Sequence, residues 1–250
     1  MNRRTFIAGA AAAALAQHAA RARPSRRPRF AAIAFDAFPI LDPRPVFALA
    51  ETLFPGRGTE LSTLWKTRQF EYQWLRALSR RYADFLATTE DALVFAARQL
   101  QLPLTSGKRE QLMRAYLELK AWPDAVPALR ALKADGIRLA FLSNMTRQLL
   151  DAGIANSGLE GTFEHVLSTD TMRTYKPDPG AYQMAPDAFG LARDEILFAA
   201  FAGWDAAGAK SFGFTTYWVN RSNSAAEELG TAADAQGRDL SELRNFVSSG

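Results

Sequence analysis

Phe30-Ala31-Ala32-Ile33-Ala34-Phe35 runs into Asp36 and then into Ala37-Phe38-Pro39-Ile40-Leu41-Asp42. The apolar run is too short to span a bilayer and too apolar for a surface loop. It predicts a buried strand. A carboxylate directly after such a strand lies at the C-terminal edge of a sheet, where open α/β folds bind their ligands. Taken alone, Asp36 reads first as a turn cap, because Asp bonds its own backbone in turns. The residues downstream reverse that order and favour a nucleophile.

Apolar runs at 137–142, 163–167 and 196–200 predict three further strands, and 215–219 a fifth. Helical patterns separate them, which argues a doubly wound parallel sheet covered on both faces. The first two strands stand about 100 residues apart, far too long for one crossover. That interval predicts at least three helices. One runs from Glu60 to about Tyr82. A second covers 90–100 with Thr89 as N-cap, and a third covers 108–120. The expected organisation is a core of residues 30–43 and 124–221, a helical cap of 44–123, and a polar C-terminal tail of 222–250. The tail is expected to hold a loop and one weak helix, Leu240 to Phe246.

Residues 1–22 read as a removable export signal. Arg3-Arg4 precedes a short apolar stretch ending near Ala16, and Ala20-Arg21-Ala22 is a small-x-small cleavage site. A periplasmic or secreted product is expected, with no stable membrane insertion once the signal is removed. Residues 23–29 form a basic, Pro-rich linker. The whole chain of 250 residues has a formal net charge of +4, and removing three signal arginines leaves about +1. Neither that charge nor the placement of aromatics suits nucleic acid. With no cysteines and only His18 and His165, thiolate catalysis, disulfides and multi-His metal sites are excluded.

Each of the first four strands ends in a polar group. Asp36 follows the first, Ser143-Asn144 the second, Lys176-Pro177-Asp178 the third region and Asp205 the fourth. In a parallel sheet these ends converge on one crevice. This set, together with Phe54-Pro55-Gly56-Arg57-Gly58, Leu64-Trp65-Lys66, Glu71-Tyr72-Gln73-Trp74-Leu75-Arg76 and Trp204-Asp205-Ala206-Ala207-Gly208-Ala209, resembles the haloacid dehalogenase superfamily. The finer resemblance is to its type II, L-2-haloacid dehalogenases. Phe38 stands where a phosphatase of this fold needs a second Asp, and no acid between Ala199 and Trp204 would help hold Mg²⁺.

The resemblance implies a hydrolase for small 2-haloacids that forms an aspartyl ester, with no cofactor and no metal. Asp36 would be the nucleophile. Lys176 would keep it ionised, and Asp205 would position water. Ser143 would bind the substrate carboxylate and Asn144 the halide. Lys66 would replace the family's cap arginine, and Phe38, Tyr182 and Trp204 would line the pocket. The resemblance also allows a homodimer. The chain departs from the family pattern at Pro39 and Ile40, which replace Gly and Thr, and at Ala200 and Ala202, which replace Ser and Asn. These apolar replacements leave a second reading, a non-catalytic or changed-substrate protein that binds small carboxylates. A Mg²⁺-dependent phosphatase ranks third.

Overall fold

The computed structural model describes residues 29–249; the predicted export signal and all but the last residue of the linker lie outside them. Among the described residues, six parallel strands, β1 (Ala32–Phe35), β2 (Arg138–Ser143), β3 (His165–Ser168), β4 (Ile196–Ala200), β5 (Thr215–Val219) and β6 (Ala235–Gly237), form one sheet in the order β3-β2-β1-β4-β5-β6. The first strand, β1 (Ala32–Phe35), lies inside the sheet between β2 and β4. Alternation along β1 sends Ile33 and Phe35 to one core and Ala32 and Ala34 to the other. A strand buried on both faces needs no polar positions, which is why residues 30–35 read as a continuous apolar run.

Between β1 and β2 the chain builds four helices: α1 (Arg44–Leu53), α2 (Gly58–Leu78), α3 (Phe85–Gln99) and α4 (Ser106–Arg114). A 3₁₀ turn at Ala115–Glu118 follows. The two chain crossings into and out of this insertion are tied together. Leu41 bridges Ala121, Asp42 N–H donates to Lys120 O at 2.8 Å, and Trp122 N–H donates to Ile40 O at 2.8 Å. Helix α2 ends earlier than the sequence predicts, and α3 begins five residues sooner. The N-cap of α3 is Asp84, whose carboxylate accepts the Ala87 N–H at 2.8 Å. Thr89 is a buried mid-helix residue whose hydroxyl donates to Phe85 O at 2.6 Å. The α4 region starts at a Thr105 cap, and its last residues tighten into the 3₁₀ turn.

The remaining order is α5 (Ala125–Ala134), β2 (Arg138–Ser143), α6 (Arg147–Asn156), β3 (His165–Ser168), α7 (Pro179–Phe189), β4 (Ile196–Ala200), α8 (Gly203–Phe212) and β5 (Thr215–Val219). Helices α7 and α8 cover the β1 face that carries Ala32 and Ala34. Among the described residues no helix is long and apolar enough to cross a membrane.

The C-terminal segment holds the helix expected from Leu240 and adds a strand and core contacts that a polar tail does not predict. Ala235–Gly237 forms β6, which extends the sheet beside β5, and Leu240–Ser248 forms α9. Leu240, Leu243 and Val247 are buried at helical spacing in the core shared with α5. Phe246 packs on Phe30 and Tyr217. Leu243→Ala should therefore destabilise the protein by about 2–5 kcal/mol. Chemical denaturation of the full chain measures this, and a loss under 0.5 kcal/mol would show that the segment only rests on the surface.

Candidate active site

The C-terminal end of β1 delivers Asp36 into the sheet-edge crevice. Asp36 keeps the register of the strand, because its N–H donates to Ala199 O of β4 at 3.0 Å. The chain then turns sharply. Ile40 and Leu41 N–H both donate to Ala37 O, at 3.0 and 2.8 Å, and Ile40 is fully buried. Its side chain packs into the core instead of bonding the Asp36 carboxylate.

Lys176, on the loop before α7, reaches between two carboxylates. Its Nζ lies 2.9 Å from Asp36 Oδ1 and 2.6 Å from Asp205 Oδ2. All three side chains are largely withdrawn from water. Burial disfavours the Lys176 ammonium, but Asp205 and Asp36 outweigh it and hold its pKa above the ordinary lysine value. Burial also raises Asp205, to about 6, against the opposing pull of Lys176 and with a further push from Asp36. Tyr182, buried in the second core, donates its hydroxyl to Asp205 Oδ1 at 2.7 Å.

Asp205 lies in the first turn of α8 and is not its N-cap, a position held by Ala202. Its carboxylate instead faces Lys176 and Tyr182. On the other side, Ser143 Oγ donates to Asp36 Oδ1 at 3.4 Å, and Phe38 N–H donates to Asp36 Oδ2 at 3.2 Å. Asn144 is an organiser of the crevice. Its Oδ1 accepts the Lys176 backbone N–H at 2.9 Å, and its Nδ2 donates to Gln73 Oε1 of α2 at 3.0 Å.

The walls are aromatic. Phe38 meets Phe201 with ring centroids 5.7 Å apart, and Trp204 meets both Phe70 and Trp74 at 5.4 Å. Trp74 Nε1–H donates to Lys176 O at 3.2 Å, so the cap touches the core at the lysine itself. The structure thus gathers Asp36, Ser143, Asn144, Lys176, Tyr182 and Asp205 into one bonded cluster, with Phe38 bonded to Asp36 and Trp204 in the adjoining aromatic wall.

Lys66 stands apart from that cluster. It is exposed, and its ammonium lies over the Phe47 ring of α1 at 4.8 Å from the centroid. The preceding Trp65 takes the buried direction and donates its indole N–H to Thr89 O at 2.8 Å. One residue is about 100° of helix, so the two side chains diverge.

Gln73, Phe70, Trp74 and Phe201 carry no strand-end pattern and were not legible as site residues. Gln73 lies eight residues after Trp65, on the same buried face of α2 as Gln69, and within the stretch Glu71 to Arg76 that carries the resemblance; neither clue gave it a role. A cavity of about 960 Å³ lies between Trp74, Leu78, Pro177, Trp204 and Phe212. It shares the tryptophan wall but is not bordered by Asp36, Ser143 or Asn144. The ionised cluster, where reactive groups converge, is therefore the better candidate site.

Among the described residues no group of three or more His, Asp or Glu side chains gathers to hold a metal. The Lys176 ammonium lies between Asp36 and Asp205, in bonding distance of both carboxylates.

Residues 4–213 match the family of haloacid dehalogenase-like hydrolases. The (S)-2-haloacid dehalogenase of Pseudomonas sp. (strain YL) is 45% identical over 81% of this chain and 88% of its own. Haloacetate dehalogenase H-2 of Moraxella sp. (strain B) is 43% identical over 81% of this chain and 91% of its own. A crystal structure of an L-2-haloacid dehalogenase superposes with a TM-score of 0.86 at 43% identity, covering 88% of this chain and 99% of that one. The L-2-haloacid dehalogenase of Xanthobacter autotrophicus with chloropropionic acid covalently bound superposes with a TM-score of 0.79 at 31% identity, covering 88% and 98%.

Replacing the shared ammonium tests the electrostatics of the cluster. Lys176→Met leaves two buried carboxylates without a counter-charge and should cost about 3–5 kcal/mol at pH 7. The penalty should shrink as pH falls and Asp205, already raised by its burial, takes up a proton. In the parent protein the raised Lys176 pKa contributes stability below the ordinary lysine value of 10.5 and loses it as pH rises through the folded value. Urea unfolding of both proteins between pH 4 and 9 measures the difference; a gap that widens toward acid would contradict this account.

Proposed function

The chain belongs to the haloacid dehalogenase-like hydrolases, and on that basis we propose that it hydrolyses the carbon–halogen bond of small 2-haloalkanoic acids to 2-hydroxy acids. The observation that carries this reading is the Lys176 ammonium in contact with both Asp36 and Asp205. One carboxylate attacks, a second handles water, and a fixed cation stands between them.

In the first step an Asp36 oxygen attacks C2 of the substrate from the side opposite the halogen. The carbon–halogen bond breaks, halide leaves, and an aspartyl ester forms with inversion at C2. Loss of the Asp36 charge then leaves Lys176 facing Asp205 alone. In the second step Asp205 takes a proton from water as the water oxygen attacks the Asp36 ester carbonyl. The bond from that carbonyl to the oxygen on C2 breaks. The departing alkoxide takes the proton from Asp205 and leaves as the 2-hydroxy acid, and the other water proton goes to solvent. The Lys176 ammonium is placed to stabilise charge developing on the Asp36 ester oxygens. Ser143 holds the Asp36 carboxylate in direction, and Tyr182 does the same for Asp205. Phe38, Trp204 and the neighbouring rings exclude water from the first step, which otherwise would compete with Asp36.

The apolar replacements at Ile40, Ala200 and Ala202 favour a changed substrate or slow turnover as the second reading. Ile40 and Ala200 lie buried in packed core and Ala202 is half-buried, and none of the three side chains offers a polar group. The phosphatase reading has no such support, because Phe38 carries no proton to give a leaving group.

Residues 1–22 direct export by the twin-arginine route in this proposal, supported by Arg3-Arg4 and the short apolar stretch after them. Export of a reporter fused to residues 1–30 should fail when both arginines become lysine. A homodimer is the assembly this reading favours, since Leu75 and Leu78 are exposed on α2; light scattering after size exclusion reads the mass.

Halide release from L-2-chloropropionate or monobromoacetate should be measurable for the parent protein. Asp36→Asn should lower it by at least about 10³-fold. Burial raises Asp205 to about 6 in the free protein, with a further push from Asp36; the ester removes that push, so kcat should fall with Asp205 protonation at a pH below that value. Failure of the folded parent protein to release halide from several haloacids would overturn the dehalogenase reading. Mass spectrometry for an adduct on Asp36 then separates a stalled ester from simple binding.

A further inference from the structure

Gln73 lies on the buried face of α2 with its side chain fully enclosed. A chain of bonds beginning at a backbone group fixes which way its amide points. The Lys176 N–H can only donate, so the Asn144 atom it meets is the oxygen. Thr169 Oγ1 donates to the same oxygen at 3.3 Å. The Asn144 nitrogen therefore faces α2, and the Gln73 atom that accepts from it is Oε1. This leaves Gln73 Nε2, with two N–H groups, buried and without a partner.

A second buried donor lacks a partner nearby. The indole N–H of Trp204 is unpaired, and Trp204 packs on Phe70 and Trp74, which flank Gln73 on α2. A buried donor with no acceptor carries its full desolvation penalty, so such a group in a site calls for an acceptor brought by a ligand. The cations do not meet that need. Lys176 is engaged by Asp36 and Asp205, and Lys66 lies outside over Phe47. A small anion that reaches the Asn144–Gln73 pair would find neutral N–H groups where the sequence leads one to expect a cap cation.

We propose that Gln73 Nε2 is the small-anion donor of this site, holding either the carboxylate of the 2-haloacid or the departing halide in place of a cap cation. The inference rests on the dehalogenase reading for the identity of the anion. The donor itself follows from the bonding of Asn144 and Gln73.

Calorimetry of the full chain with sodium propionate and with sodium bromide, at constant ionic strength, tests it. Gln73→Glu keeps an oxygen for the Asn144 amide but removes the donor; Gln73→Met removes both. Both variants should bind the anion at least about tenfold more weakly than the parent protein. Loss confined to propionate assigns the carboxylate, and loss confined to bromide assigns the halide. Parent-like binding of both anions by Gln73→Glu would overturn the proposal and leave Gln73 as a prop for Asn144. So would a parent protein that binds neither anion.

If the variants do not fold, the side-chain amide resonance of Gln73 in the ¹⁵N-labelled parent protein decides. It should shift on addition of either anion, and its failure to shift with both overturns the proposal. The binding measurements need no turnover. Anion binding through Gln73 without halide release would remove the dehalogenase reading alone, whereas halide release with an unchanged KM and unchanged anion binding in Gln73→Glu would remove this one alone.

Discussion

The structure depends on one buried ammonium shared by two carboxylates. Lys176 lies 2.9 Å from Asp36 and 2.6 Å from Asp205, and all three arrive from different loops at the same sheet edge. A single cation cannot neutralise both acids, so the cluster keeps a residual negative charge away from water. The protein handles that charge with hydroxyls and amides. Tyr182 donates to Asp205, and Ser143 and the Phe38 N–H donate to Asp36. The remaining strain appears at Asp205, whose pKa is pushed up to about 6. Helix α2 is drawn into the same network, because Trp74 bonds the Lys176 carbonyl.

The strand ends were legible because their physics is local. A run such as Ala32–Phe35, buried on both faces, leaves the next polar residue at the edge, and parallel topology gathers such residues without further instruction. Helix α2 was legible as a helix but not in its rotation. Too many aromatic residues, including Trp65, Phe70, Tyr72 and Trp74, compete for its inner face. Which of Trp65 and Lys66 points inward is settled by the Thr89 carbonyl, a backbone group on another helix. Gln73 was illegible for a similar reason, since its role arises from Asn144, 71 residues away. Strand β6 is only Ala-Gln-Gly, an edge strand with no alternation to read.

The turn after Asp36 shows how an apolar replacement is accommodated. Ile40 gives no hydroxyl to the carboxylate, and it fills the core instead. The turn is steadied through its carbonyls. Trp122 Nε1–H donates to Phe38 O at 3.0 Å, and Arg221 donates to Pro39 O at 2.7 Å. Arg221 stacks over Trp122 and pairs with Asp124 at 2.9 Å, so the two donors brace each other. Proline at position 39 suits this arrangement, because its fixed φ narrows the turn before any side-chain bond forms.

Asp124 also accepts the N–H of Leu240, the first residue of α9. The turn that carries Asp36 is therefore fastened, through Asp124 and Arg221, to a helix near the far end of the chain. In order of synthesis this matters. The strand bearing Asp36 leaves the ribosome before the cap, the other strands, Arg221 and α9. Its reactive turn is first made and last secured, so a growing chain carries a complete set of reacting side chains before it carries the means of holding them still.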